Sequence, residues 1–141
     1  MKREEIRIRD PFILSYEGKY YLYGTGIPGS DENGETRQFW CYMSRNLEDW
    51  SEPMLCFDAP GDFLGKKDFW APEVHRYQGK FYMLASFCAE GKMRATQALV
   101  ADRPEGPFEV CGKPLTPSDW RSKCGLSQTG KRKEFSYRCV I

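Results

Sequence analysis

The sequence predicts an all-β chain of two four-stranded antiparallel units, and three observations carry that prediction. Residues 11–23 return as residues 72–84, 61 positions later and without a gap: Pro-Phe-Ile-Leu-Ser-Tyr-Glu-Gly-Lys-Tyr-Tyr-Leu-Tyr answers to Pro-Glu-Val-His-Arg-Tyr-Gln-Gly-Lys-Phe-Tyr-Met-Leu. Apolar residues come in short runs at the period of strands that bury one face. No stretch sustains the 3.6-residue period of an amphipathic helix, so long helices are not expected.

Each element can be justified in chain order. Residues 11–16 and 19–25 flank Glu17-Gly18, a two-residue hairpin turn in which glycine supplies a positive φ. A polar loop, residues 27–37, leads to a third apolar run at 38–43, and a turn at 44–50 leads to a short fourth strand at 54–57. The second unit repeats the plan: a hairpin of 74–77 and 80–87 about Gln78-Gly79, a polar loop at 88–92, a third run at 95–101 and a fourth at 107–110. Four antiparallel strands in each unit of about 60 residues make a propeller blade. Blades stack because one blade cannot bury its faces alone. Ser44 to Trp50 and Ala101 to Phe108 each close on an aromatic, and both Trp50 and Phe108 are expected to pack between blades.

Composition limits the classes of function. The 141 residues carry a net charge of +1, which leaves no nucleic-acid footprint. That balance hides a break: residues 1–120 hold 15 Lys and Arg against 19 Asp and Glu, whereas residues 121–141 hold 6 against 1. The expected organisation is therefore a domain over residues 1–120, with blades at about 6–60 and 68–113, and an aberrant basic tail over 121–141. Neither a secretory apolar region nor an 18-residue apolar run is present, so the expected compartment is the cytoplasm, without membrane insertion. Six cysteines without a C-x-x-C pair, beside one histidine, are expected to be reduced and to hold no zinc. No cofactor or metal is expected.

The two copies differ where ligands would meet. Before the shared proline the first copy has Arg9 and Asp10, and the second has Trp70 and Ala71, so a carboxylate stands where its twin has a methyl group. In a propeller the first strand of each blade lines the central channel, and the start of that strand faces the funnel shared by all blades. Asp10 is either a ligand-facing carboxylate or a surface acid paired with Arg7 or Arg9. Trp70 suits core packing or a platform for the apolar face of a sugar ring. Glu73 suits a ligand contact or a hydrogen bond to backbone. His75 falls on the same side as Glu73 and is read as a satisfied histidine rather than a base.

With those residues in place, an ordered set of motifs resembles the first two blades of glycoside hydrolase family 43. The set is Arg9-Asp10-Pro11-Phe12-Ile13, Ser44 to Trp50, Trp70-Ala71-Pro72-Glu73-Val74-His75 with Gly79 to Tyr82, and Glu105-Gly106-Pro107-Phe108; it covers about residues 6–120. The resemblance implies a five-bladed β-propeller that hydrolyses arabinose- or xylose-containing glycans with inversion, on substrates of the arabinan, xylan or arabinoxylan type. It puts Asp10 in the role of general base and Trp70 as a wall of the sugar subsite; Glu73 joins them as a substrate-contact candidate from its position on the strand alone. Inversion takes one carboxylate to deprotonate water and one carboxylic acid to protonate the leaving oxygen, about 6.5–9.5 Å apart. By the resemblance, the acid and a pKa-tuning aspartate would come from a third blade. No residue of this chain stands at a matching position.

Residues 114–120 read as the approach to a third blade, but 121–141 lack strand alternation, and Glu134 is their only acid. The tail is expected to be an out-of-frame read of the third blade's gene segment or a disordered basic tail. Two functional classes follow: a glycoside hydrolase in truncated form, or a catalytically inactive fragment or glycan-binding remnant. An interaction propeller of the WD type lacks its Trp-Asp and Gly-His signatures here. A fructan-hydrolysing propeller remains open by architecture alone. Two blades would leave two aromatic-rich faces and an unpaired edge in water, which predicts a marginal, aggregation-prone fragment unless self-association covers the exposed faces.

Overall fold

The structure, a computed structural model, describes residues 1–26, 28, 36–89 and 94–115. Eight strands form two meanders: β1 (Arg9–Tyr16), β2 (Lys19–Thr25), β3 (Gln38–Ser44) and β4 (Met54–Asp58) make one four-stranded sheet, and β5 (Lys67–Tyr77), β6 (Lys80–Cys88), β7 (Ala95–Ala101) and β8 (Glu109–Cys111) make the other. Every neighbouring pair is antiparallel. The only helical element among the described residues is a 3-10 turn at Arg3–Glu5. No helix among them is long and apolar enough to cross a membrane.

The repeat in the sequence is a repeat in the backbone. Glu17 (φ 48°) and Gly18 (φ 69°) turn the first hairpin, and Gln78 (φ 47°) and Gly79 (φ 81°) turn the second. Two successive left-handed residues match the right-handed twist of the flanking strands. Both innermost strands are also bulged before the shared proline: pairing shifts between Arg9↔Thr25 and Phe12↔Tyr23, and again between Trp70↔Ser86 and Glu73↔Leu84. Asp10 (φ 49°) and Ala71 (φ 50°) carry those bulges.

Several strand boundaries differ from the sequence reading by one or two residues and that of β5 by more, and a proline lies behind the shifts of β5 and β8. The second unit's first strand begins at Lys67, well before residue 74, because the bulge takes Pro72 out of the ladder and lets pairing resume at Trp70↔Ser86 and Lys67↔Cys88. Its last strand is Glu109–Cys111 rather than 107–110. Pro107 has no N–H to donate, and the Phe108 N–H is given to the Cys56 carbonyl of the first blade (2.7 Å) instead of to β7.

The core lies between the sheets. Tyr23, Phe39, Cys41, Cys56 and Phe57 from the first blade meet Phe69, Val74, Met83, Phe87, Leu99 and Phe108 from the second. Phe39, Phe57, Phe63, Phe69 and Phe87 form a continuous ring network, tightest at Phe63 and Phe87 (4.8 Å between centroids). Such pairs each add roughly 0.5–1.5 kcal/mol beyond area burial. Phe108 takes its expected place there. Trp50 does not: it packs with Leu22 and Tyr42 on the opposite face of the first blade, against Met1, Ile6 and Ile8. Strand alternation explains the difference, since Leu22 and Tyr42 face away from Tyr21, Tyr23 and Cys41.

The N-terminal residues thereby cover one of the two faces expected to be bare. The Met1 ammonium donates to the Trp50 carbonyl (2.8 Å), Trp50 N–H donates to the Met1 carbonyl (2.8 Å), and Lys2 pairs with Asp49. Among the described residues, Cys41, Cys56, Cys88 and Cys111 are not joined in disulfides. Cys124, Cys139, the approach at Asp119 and Trp120, and the basic tail lie outside the described residues.

Candidate active site

Asp10 is the second residue of β1, in the bulge that opens the first blade. Its side chain is exposed, and no hydrogen bond or ion pair holds it among the described residues. Asp tolerates the left-handed region better than most residues, which would suffice to place one in a bulge. The twin removes that explanation. Ala71 holds the same backbone angle without a carboxylate, so the fold does not require one.

The two bulges adjoin through a buried threonine. Thr25, paired with Arg9 and 3% exposed, accepts the Ala71 N–H on its hydroxyl (2.8 Å). That bond ties the end of β2 to the bulge of β5 and brings Asp10 and Trp70 to the same end of the molecule. β1 also packs along β5: the Phe12 ring meets the His75 ring edge-on (5.4 Å), and the Arg76 guanidinium lies over Tyr16 (5.2 Å).

Trp70 is 40% exposed, unlike the ring network behind it, so it is not a core residue. One face of its indole is covered by the Arg94 guanidinium, 3.6 Å from the ring centroid. Glu73 and His75 share a face of β5, with His75 Nε2 3.5 Å from Glu73 Oε2; both are exposed. Among the described residues, the Glu73 carboxylate thus reaches a side chain. No three His, Cys, Asp or Glu side chains converge among the described residues.

Arg94, Asp68 and Thr25 were not legible as site residues in the sequence. The repeat carries a signal for the last, since Thr25 and Ser86 are themselves 61 residues apart. Arg94 follows a loop and has no marker of its own. Its position over Trp70 is a matter of tertiary structure.

Two four-stranded antiparallel meanders that share one aromatic core are two adjoining blades of a β-propeller, with an exposed carboxylate in the bulge of β1 and an exposed tryptophan beside the bulge of β5. The chain belongs to glycosyl hydrolases family 43, whose sequence model it matches over residues 5–124. Among solved structures, it is 35% identical to an endo-arabinase from Bacteroides thetaiotaomicron, with a TM-score of 0.74 over 86% of this chain and 40% of that one. A thermostable family-43 glycoside hydrolase is 33% identical, with a TM-score of 0.67 over 80% of this chain and 35% of its own. An endo-1,4-beta-xylanase from Bacteroides thetaiotaomicron is 32% identical, with a TM-score of 0.60 over 80% of this chain and 36% of its own. The chain therefore spans two fifths or less of the length of these structures. No curated protein matches it.

Proposed function

We propose that this chain supplies the general-base part of an inverting glycoside hydrolase acting on arabinose- or xylose-containing glycans. The observation that carries the proposal is the Asp10 and Ala71 pair: identical bulges, one of which holds a free, exposed carboxylate that the backbone does not need. A carboxylate so placed can take a proton from water as the water attacks the anomeric carbon, while a carboxylic acid across the sugar protonates the departing oxygen. Trp70 offers a flat apolar wall to a pentose, and Glu73 a charged acceptor for a sugar hydroxyl. Similarity to an endo-arabinase and to an endo-1,4-beta-xylanase supports the substrate class.

A second reading is favoured by the lack of any three converging acids or ligating groups among the described residues. On that reading the chain is a catalytically inactive fragment or glycan-binding remnant, and residues 121–141 are an out-of-frame read of a longer hydrolase. The coding DNA tests the frame directly: no neighbouring frame continuing the propeller would end that idea.

Hydrolysis of nitrophenyl α-L-arabinofuranoside, nitrophenyl β-D-xyloside and linear arabinan separates the two readings when this chain is run beside a version with the frame restored after Trp120. The expected result is activity in the restored protein, lowered about 10²–10⁴-fold in kcat/KM by Asp10→Ala. Full activity in the Asp10→Ala variant would remove Asp10 from the mechanism. Silence of both proteins, with retained binding of arabinotriose, would establish the glycan-binding role.

A further inference from the structure

Trp70 does not present a bare ring. Arg94, just before β7, lays its guanidinium on one face of the indole at 3.6 Å from the centroid, the distance of van der Waals contact. Three further contacts fix it. Nη1 donates to the Asp68 carbonyl (2.9 Å) and to the Ser86 hydroxyl (3.1 Å), and Nη2 lies 3.5 Å from Asp68 Oδ2. Arg94 and Asp68 are each about 30% exposed, so the pair is shielded more than an ordinary surface ion pair (30% and 29%).

The repeat shows what is particular to the second blade. Thr25 and Ser86 occupy equivalent positions, opposite Arg9 and Trp70 respectively. Thr25 spends its hydroxyl on the Ala71 N–H, a bond between blades. Ser86 spends its hydroxyl on Arg94. The second blade therefore replaces an arginine by a tryptophan beside the bulge of its first strand and brings another arginine, just before β7, over that ring.

The geometry points to Arg94 as a positioning residue that holds the Trp70 indole in one orientation and leaves a single face for a sugar. The inference rests on the reading of Trp70 as a glycan platform and deepens it. A ring fixed before binding loses less conformational freedom when a sugar stacks on it. A planar guanidinium held by Asp68 and Ser86 does this in a way a lysine ammonium cannot, since lysine is a point charge without a flat face. Because Asp68 balances the Arg94 charge, the site is built for a neutral sugar ring rather than an acidic one.

The test uses the 141-residue chain labelled with 5-fluorotryptophan, with the Trp70 resonance assigned by Trp70→Phe. Replacing Arg94 by Met keeps the aliphatic stem and removes the guanidinium, and is expected to shift and broaden the Trp70 fluorine resonance while those of Trp40 and Trp50 stay in place. Arabinotriose and xylotriose are then titrated into each protein. The expected outcome is that sugar moves the Trp70 resonance in the unmodified chain, with affinity lower by about three- to tenfold in Arg94→Met. Arg94→Lys and Asp68→Asn are expected to show smaller losses in the same direction, which guards against misfolding of one variant. An unmoved Trp70 resonance and unchanged affinity in Arg94→Met would overturn the positioning role. A Trp70 resonance that responds to Arg94→Met but to neither sugar in any protein would overturn the platform reading beneath it.

Discussion

Asp10 and Ala71 are the most informative residues, because they hold one backbone state with two side chains. A left-handed φ costs a non-glycine residue of order 1–3 kcal/mol, and both bulges bear that cost. Asp10→Ala should therefore change stability by no more than about 1 kcal/mol in urea unfolding while removing the proposed base. A large loss of stability would mean that the carboxylate is structural. Gly106 makes the opposite case. Its φ is 81°, and a Cβ there would lie 2.6 Å from the Cys56 carbonyl oxygen of the first blade. Gly106→Ala should cost about 1–3 kcal/mol, read as a lower urea midpoint with an unchanged slope. The glycine in Glu105-Gly106-Pro107-Phe108 is thus explained by close approach, beside the Tyr23 hydroxyl's bond to the Pro104 carbonyl (2.6 Å).

At the scale of elements, what the chain declares openly is what local chemistry decides. Glu17-Gly18 and Gln78-Gly79 fix two hairpins, and period-two alternation places the strands on either side of them. The bulges were legible only in part: the prolines mark where a ladder must be interrupted, but not that pairing resumes on the far side. Trp50 lies off the inter-blade core that the sequence predicts for it because Met1, Ile6 and Ile8, which pack on it, come from a segment with no strand signal, held by backbone bonds at Met1 and Trp50. Arg94 escaped notice for the same reason, since stacking on Trp70 is a contact between a loop and a strand. Thr25 joins the two elements that matter to the site. Thr25→Val keeps the shape but leaves the Ala71 N–H without its partner, so it should destabilise by about 1–3 kcal/mol. It should also perturb the backbone amide of Ala71 in heteronuclear NMR, whereas an effect confined to β2 would argue that the blades are joined by the aromatic core alone.

For the whole molecule the shared core makes the two blades one thermodynamic unit, because neither sheet can bury Phe39, Phe57, Phe69 and Phe87 alone. Phe69→Ala should therefore lower stability by about 3–5 kcal/mol and shift the unfolding of both blades together, followed by tyrosine and tryptophan signals. Separate transitions would show that the blades fold independently, as repeats with weak interfaces do. The same core predicts how the molecule responds to alkali. Burial pushes the thiols of Cys41 and Cys56 well above the ordinary value of 9.0, and the Tyr23 phenol well above 10.0. In the unfolded chain these groups lose protons near their ordinary values, whereas in the folded chain they stay neutral. Their contribution is therefore complete below about pH 9 and falls as pH rises above it, since the unfolded state then releases protons that the native state keeps. Iodoacetamide at pH 8 should label Cys111, which is only partly covered, and spare Cys41 and Cys56 until urea opens the core. Peptide mapping by mass spectrometry reads all three sites at once. Early labelling of Cys41 with Cys111 would show that the blades part in the native state, and that the inter-blade core is not what holds Asp10 and Trp70 at one end of the molecule.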